Sequence, residues 1–186
     1  MLKQNCHLPK LWLKLTGVKF GSHLRLIGYP LIYQFKGSSI TIGNDVKINS
    51  EFLSNMLGLY QRTIIIARNG GKIEIGNNVG MSGASIYSWK KIKIGDNTII
   101  GANVKIVDND FHPIDPQGRI DNDNTKVGVK GVEIGENVFI GMNSIILKGS
   151  KIGNNCVIGA GSVVSGVFGD NQIIAGNPAR VIREIQ

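Results

Sequence analysis

The side chains most able to do chemistry are concentrated between Val107 and Gly131, in VDNDFHPIDPQGRIDNDNTKVGVKG. Five of the chain's 13 acidic residues fall there, Asp108, Asp110, Asp115, Asp121 and Asp123, together with His112. An imidazole ordinarily changes charge near neutral pH, which suits it to take a proton from a reacting group and return it. With Asp110 and Asp115 close by to hold its tautomer and stabilise the imidazolium, His112 reads as a general base. The other two histidines, His7 and His23, have nothing clustered around them. One histidine with several aspartates could also hold a cation, but neither HxxxH nor CxxC spacing is present, so no metal is expected. GxSxG, P-loop and dinucleotide-binding fingerprints are missing as well. Phe111, Pro113, Ile114 and Pro116 stiffen the first half of the stretch, and a long, stiff loop in a compact protein points to function.

A loop of this kind needs a rigid frame, and the sequence supplies one. From Ile134 an aliphatic residue recurs every six positions, at Ile140, Ile146, Ile152, Ile158 and Val164. Glycine follows it at Gly135, Gly141, Gly153 and Gly159, and the fourth residue after it runs Val138, Ser144, Ser150, Cys156, Ser162 and Phe168. This is the pattern of a parallel β-helix, in which each six-residue unit makes one face of a triangular coil. The aliphatic fills the prism, the small residue fits the narrowing interior, and glycine relieves the backbone at the corner. Ile94, Ile100 and Ile106 repeat the register, with fainter copies from Ile42 and Ile75. The expected fold is therefore all-β: a β-helix of hexapeptide repeats with one long excursion loop (about 107–131) and short terminal elements. Residues 41–186 form the β-helix domain with a C-terminal tail, and residues 1–40 a basic N-terminal segment.

Within that segment Leu8, Leu11, Trp12 and Leu15 are spaced for one face of a short amphipathic helix, with Lys10 and Lys14 on the other side. Such a helix could cap the open end of the solenoid or rest on a membrane surface. Phe20 to Phe35 is β-prone but is expected to make an irregular first coil, and between Leu53 and Gly71 the register drifts. In the coil that follows, Ser82, Gly83 and Ser85 line a corner, where small hydroxyl residues usually just fit the space and a solvent-facing Ser82 could hydrogen-bond a substrate.

The 186 residues suit one domain, and 25 glycines with few aromatics fit a solenoid better than a sandwich or bundle. Net charge is +8, and Lys3, Lys10, Lys14, Lys19, Arg25 and Lys36 precede the first acidic residue. A basic end can meet anionic lipid or polysaccharide. No nucleic-acid-binding module is present, so nucleic acid is not an expected partner. The two cysteines, Cys6 and Cys156, give no disulfide framework, and Lys10 and Lys14 interrupt any signal-peptide core, so a cytoplasmic protein is expected.

The order of these motifs resembles the hexapeptide-repeat acyltransferases, in the sugar O-acetyltransferase branch that includes galactoside and maltose acetyltransferases. The resemblance covers roughly residues 40–186 and rests on DFHPID interrupting the ladder, IGAGSVVS at Ile158 to Ser165, and AGNPARVIREI at Ala175 to Ile185. It implies a left-handed coil, although parallel crossovers are ordinarily right-handed. It also implies a homotrimer with active sites between subunits, acetyl-coenzyme A as acyl donor, and a sugar or polysaccharide precursor as acceptor. His112 becomes the base acting on the acceptor hydroxyl, and a backbone N–H near Met142 the oxyanion donor. Ser82, Ser88, Asp110 and Asp115 are expected at the acceptor, Ser82 standing where the family has asparagine. Coenzyme A is expected along Phe139, Gly141, Met142, Ala160, Ser165 and Gly166 toward Arg180 and Arg183. Phe139 replaces a tryptophan and Gly166 a lysine, a loss that Lys148, Lys151, Arg180 or Arg183 could make good. An N-acetyltransferase for an amino-sugar nucleotide and a non-catalytic scaffold are the alternative functions.

Overall fold

The structure, a computed structural model, describes residues 7–185. Among these the chain winds into a triangular prism of parallel sheets with seven, eight and six strands. The first face runs from Lys19–Phe20 to Val167–Phe168, the second from Arg25–Ile27 to Gln172–Gly176, and the third from Leu31–Gln34 to Val163–Val164. The eighth strand of the second face, Ala179–Glu184, folds back antiparallel on Gln172–Gly176. Ile134 stands on Ile152, Ile140 on Ile158, and Ile146 on Val164, so the six-residue period becomes three buried aliphatic columns. The small positions close the corners. Ser144 Oγ donates to Gly141 O at 2.8 Å and Ser150 Oγ to Leu147 O at 2.7 Å, which satisfies hydroxyls that have left water. Cys156 is a buried free thiol, its pKa raised by that burial.

Three expectations need correction. The glycine after each aliphatic is required by close stacking: a Cβ on Gly135 would lie 2.6 Å from Asn154 Oδ1 and 2.7 Å from Gly153 C. The left-handed backbone falls two residues later, on Asn137, Asn143, Gly149, Asn155 and Gly161, residue types that tolerate it. Phe168 pairs with Ile152, so it takes the column position of a shortened repeat and not the small one. The first coil is regular. Phe20, Leu26 and Ile32 stand six apart, and the coil pairs in register with the next, Phe20 on Ile42 and Arg25 on Lys47, but Ile27 and Tyr33 follow the aliphatics where glycine usually would.

Helix α1 (His7–Leu15) closes the open end by placing Leu13 in the core. Two excursions leave the prism. Residues 50–63 leave the corner between the second and third faces, ahead of the strand Ile64–Ala67, and residues 108–131 leave the corner between the third face and the first. The outer surfaces of the faces differ. On the first, Glu74, Lys93, Glu133 and Lys151 stack in register, with ion pairs Lys91–Glu74 at 3.0 Å and Lys151–Glu133 at 3.4 Å. On the third, the outward residues include Leu31, Ile64, Ile66, Tyr87, Ile145 and Val163. Among the described residues no helix is long and apolar enough to cross a membrane.

Candidate active site

The excursion that carries His112 is pinned at its base by Asp108, a residue the sequence reading counted only as one acid among five. Its fully buried carboxylate accepts from Ser88 Oγ at 2.6 Å and from the backbone N–H groups of Trp89 and Lys90, both at 2.8 Å. An antiparallel clasp follows, with Asp110 N donating to Gly128 O and Lys130 N to Asp108 O. Asp115 then caps the short helix α2 (Pro116–Ile120), its carboxylate accepting from Gly118 N at 2.9 Å with Pro116 at the first helical position. Phe111 adopts a left-handed backbone (φ 62°), costly for an aromatic residue, and its ring rests on Tyr87 with centroids 5.0 Å apart. His112, next in the chain, is exposed, and its ring has no hydrogen-bond partner among the described residues.

The expected carboxylate partners of His112 are engaged elsewhere. Asp110 pairs with Lys148 Nζ at 2.8 Å, and Asp115 serves its helix. Ser88 is fully buried and committed to Asp108, so it anchors the loop and offers nothing to an acceptor. Ser82 does not face solvent either. It is buried, and its hydroxyl accepts from Asn49 Nδ2 at 3.0 Å.

The coenzyme candidates divide between two places. Gly141, Met142 and Ala160 lie at the corner between the second and third faces, and Phe139 is exposed on the second face leading to it. Arg180 and Arg183 stand on the returning strand Ala179–Glu184 of that same face. Ser165 and Gly166 lie instead at the next corner, the one from which the His112 loop departs. Around Met142 two backbone donors are left open: neither Met142 N–H nor Ala160 N–H makes a hydrogen bond among the described residues. Gly101 and Gly141 keep these groups uncrowded, since a Cβ on the first would lie 2.7 Å from Met142 N and on the second 2.5 Å from Ala160 N. The excursion 50–63 descends the same corner, with Tyr60 Oη donating to Asn103 O at 3.4 Å and Lys105 Nζ 5.1 Å from the Tyr60 ring centroid.

Of the cations offered for phosphate, Lys148 and Lys151 are taken by Asp110 and Glu133. The guanidinium groups of Arg180 and Arg183 bond only to the carbonyls of Ala179 and Glu184 and remain exposed. Among the described residues no group of three or more histidine, cysteine or acidic side chains could hold a metal ion.

Comparisons with known proteins agree with this architecture. Residues 131–166 match the family described as bacterial transferase hexapeptide (six repeats), and residues 91–106 match the hexapeptide repeat of succinyl-transferase. A Dictyostelium discoideum protein named as an acetyltransferase is 38% identical over 83% of this chain and 80% of its own length. In Escherichia coli (strain K12), galactoside O-acetyltransferase is 34% identical over 87% of this chain and 79% of its own. WbbJ of the same organism, named as a lipopolysaccharide biosynthesis O-acetyl transferase, is 35% identical over 77% and 74%. Among solved structures, galactoside acetyltransferase in complex with coenzyme A superposes with a TM-score of 0.57 at 25% identity, over 90% of this chain and 65% of that one. AntD, an N-acyltransferase from Bacillus cereus, gives 0.73 at 24% identity over 95% and 89%, a likeness of fold. The coil is the left-handed parallel β-helix, and with its repeats matched and relatives aligned along most of their lengths, the chain belongs to the hexapeptide-repeat acetyltransferases, enzymes that transfer acetyl groups.

Proposed function

We propose that this enzyme transfers the acetyl group of acetyl-coenzyme A to a sugar hydroxyl in the assembly of capsule, exopolysaccharide or O-antigen, working in the cytoplasm as a homotrimer with its sites between subunits. The observation that carries this reading is a division between corners. An unpartnered imidazole stands on the loop at the corner between the third and first faces, and uncovered backbone donors stand at the corner between the second and third. The third face lies between these corners and is largely apolar outside, with Ser85 and Lys105 among its outward residues. A copy packed over it in a ring would bring the loop of one subunit toward the donors of the next.

The residues at the donor corner fit the coenzyme. Phe139 offers an apolar aromatic surface, Gly141 and Ala160 a floor of small residues, and Arg180 and Arg183 charge for phosphate. Bound there, acetyl-coenzyme A would supply a thioester carbonyl open to attack. Met142 N–H offers a fixed donor for negative charge developing on an oxygen, and His112 accepts the proton of the acceptor hydroxyl. The strained turn at Phe111 and the Asp108 anchor fix where that imidazole can be. The O-acetyl relatives WbbJ and galactoside O-acetyltransferase support a hydroxyl acceptor.

One feature favours a second reading, N-acetylation of an amino-sugar nucleotide: His112 has no carboxylate to orient it, and an amine needs less help from a base. Release of free coenzyme A, assayed against a panel of sugars, amino-sugar nucleotides and lipid-linked oligosaccharides, separates the readings. His112→Ala is expected to lower kcat by about a hundredfold or more on the best sugar, with an unchanged melting temperature. Near-wild-type turnover of an amino sugar by the variant would favour the N-acetyl reading. No coenzyme binding by either protein would leave a non-catalytic scaffold.

A further inference from the structure

Helix α1 is turned the opposite way from its own sequence pattern. Its broad apolar stripe includes Leu11, Trp12 and Leu15, and a cap would be expected to press that stripe onto the open coil. Instead Leu13 enters the core at 2% exposure, while Leu11, Trp12 and Leu15 are 57%, 56% and 74% exposed. At 3.6 residues per turn, Leu13 points roughly 150° away from the centre of the stripe, so one helix can cap with one face and present the other. The surroundings are basic. Lys10 and Lys14 flank the stripe in sequence, Lys19, Arg25 and Lys36 follow in the first coil, and no acidic residue precedes Asp45, itself engaged by His23 at 3.1 Å.

We propose that the outward face of α1 docks on the surface of an anionic lipid bilayer, Leu11, Trp12 and Leu15 entering the headgroup boundary while Lys14, roughly 110° round the helix from the centre of the stripe, reaches back to the lipid charge. A nine-residue helix is too short to cross a membrane but suits the interface, where binding combines apolar burial with attraction to anionic headgroups. Tryptophan favours that boundary because its ring is apolar and its N–H polar. A second copy is the poorer occupant, since two such ends would bring like charges together with no carboxylate in their first 44 residues to answer them. This inference does not depend on the acetyl-transfer reading.

The test is sedimentation of the full chain with vesicles of phosphatidylcholine, alone or mixed with phosphatidylglycerol, at low and high salt. Wild type is expected to pellet with the mixed vesicles at low salt, with a blue shift of tryptophan emission, and to be released by high salt. Replacing Leu11, Trp12 and Leu15 together by serine should weaken binding by roughly tenfold or more. Lys14→Gln should weaken it less, and only on the mixed vesicles. If the serine variant melts lower than wild type, the lysine variant decides. Failure of wild type to pellet with mixed vesicles overturns the proposal, as does undiminished pelleting of the variants. A fall in oligomeric state in the serine variant, without vesicle binding by wild type, would make this face a contact between copies and overturn it equally.

Discussion

The corner between the first and second faces and the corner between the second and third follow the same six-residue plan and differ at one position. Two residues past the aliphatic, the first corner carries Asn44, Asn77, Asp96, Glu136, Asn154 and Asp170, whereas the lower coils of the second carry Ala102, Met142 and Ala160. At the first corner a side-chain oxygen from one coil takes the backbone N–H of its neighbour in four of five steps: Asn77 Oδ1 from Asn44 N at 2.9 Å, Asp96 Oδ1 from Asn77 N at 2.8 Å, Asn154 Oδ1 from Glu136 N at 2.9 Å, Asp170 Oδ1 from Asn154 N at 2.7 Å, Asp96 N under Glu136 being the exception. At the second, alanine and methionine have no such oxygen, and the N–H groups of Met142 and Ala160 go unpaired among the described residues. Met142 is half-buried and Ala160 exposed, so these two N–H groups are open to an acceptor from outside the chain.

The most direct way to break this contrast is to add the same methyl group at both corners. In Gly141→Ala the new Cβ meets Ala160 N at 2.5 Å, and in Gly135→Ala it meets Asn154 Oδ1 at 2.6 Å. Both changes crowd backbone and are expected to cost about 1–3 kcal/mol of stability, measured by denaturant melts. Only Gly141→Ala disturbs the uncovered donors, and its kcat/KM for acetyl-coenzyme A should fall by a further hundredfold or so. Equal activity losses in the two variants would mean that the corners are not specialised.

A sharper version uses the faces. Charges alternate up the outside of the first face through Glu74, Lys93, Glu133 and Lys151, whereas Ile66, Tyr87, Ile145 and Val163 lie outside on the third. If the chain forms the proposed trimer over its third face, Ile66→Asp should break it in a sedimentation experiment, and Lys93→Ala should leave it intact. If the site is shared, mixing subunits of His112→Ala with subunits of Gly141→Ala should restore roughly a quarter of wild-type activity by random assortment in a ring. A mixture as inactive as its parents would confine each site to one chain.

How far the sequence revealed all this depended on whether the partner lay in the same repeat. The columns from Ile134 to Val164 were legible because each unit carries its own period, and the loop was legible because it interrupts one. The first coil was obscured when Ile27 and Tyr33 replaced the usual glycine, although Phe20, Leu26 and Ile32 keep the spacing. What could not be read was any contact between coils. Asp110 reaches Lys148 and Asn49 reaches Ser82 only after excursions of uneven length, so sequence neighbours such as Asp110 and His112 looked like partners when they were not. The orientation of α1 was hidden for a related reason. A cap needs one well-placed side chain, and Leu13 suffices, so the wider stripe was free to face outward.

The smallest expected effect belongs to a single rung of the first corner. The Asn77 side-chain amide, then the Asn77 backbone N–H, hold the Asp96 carboxyl below its ordinary value of 3.8. A carboxyl with a depressed folded-state pKa binds fewer protons folded than unfolded, so its contribution to stability is complete above 3.8 and disappears as pH falls through the lower folded value. Because Asp96 is only partly buried, solvent screens the interaction and the contribution is small. Asp96→Asn keeps one oxygen for Asn77 N but removes the charge. The wild type should therefore melt slightly above the variant at neutral pH, with the gap closing in acid below 3.8. A gap that stays constant through that range would mean the rung is held by geometry alone, and that the acidic residues of this corner could be amides without loss.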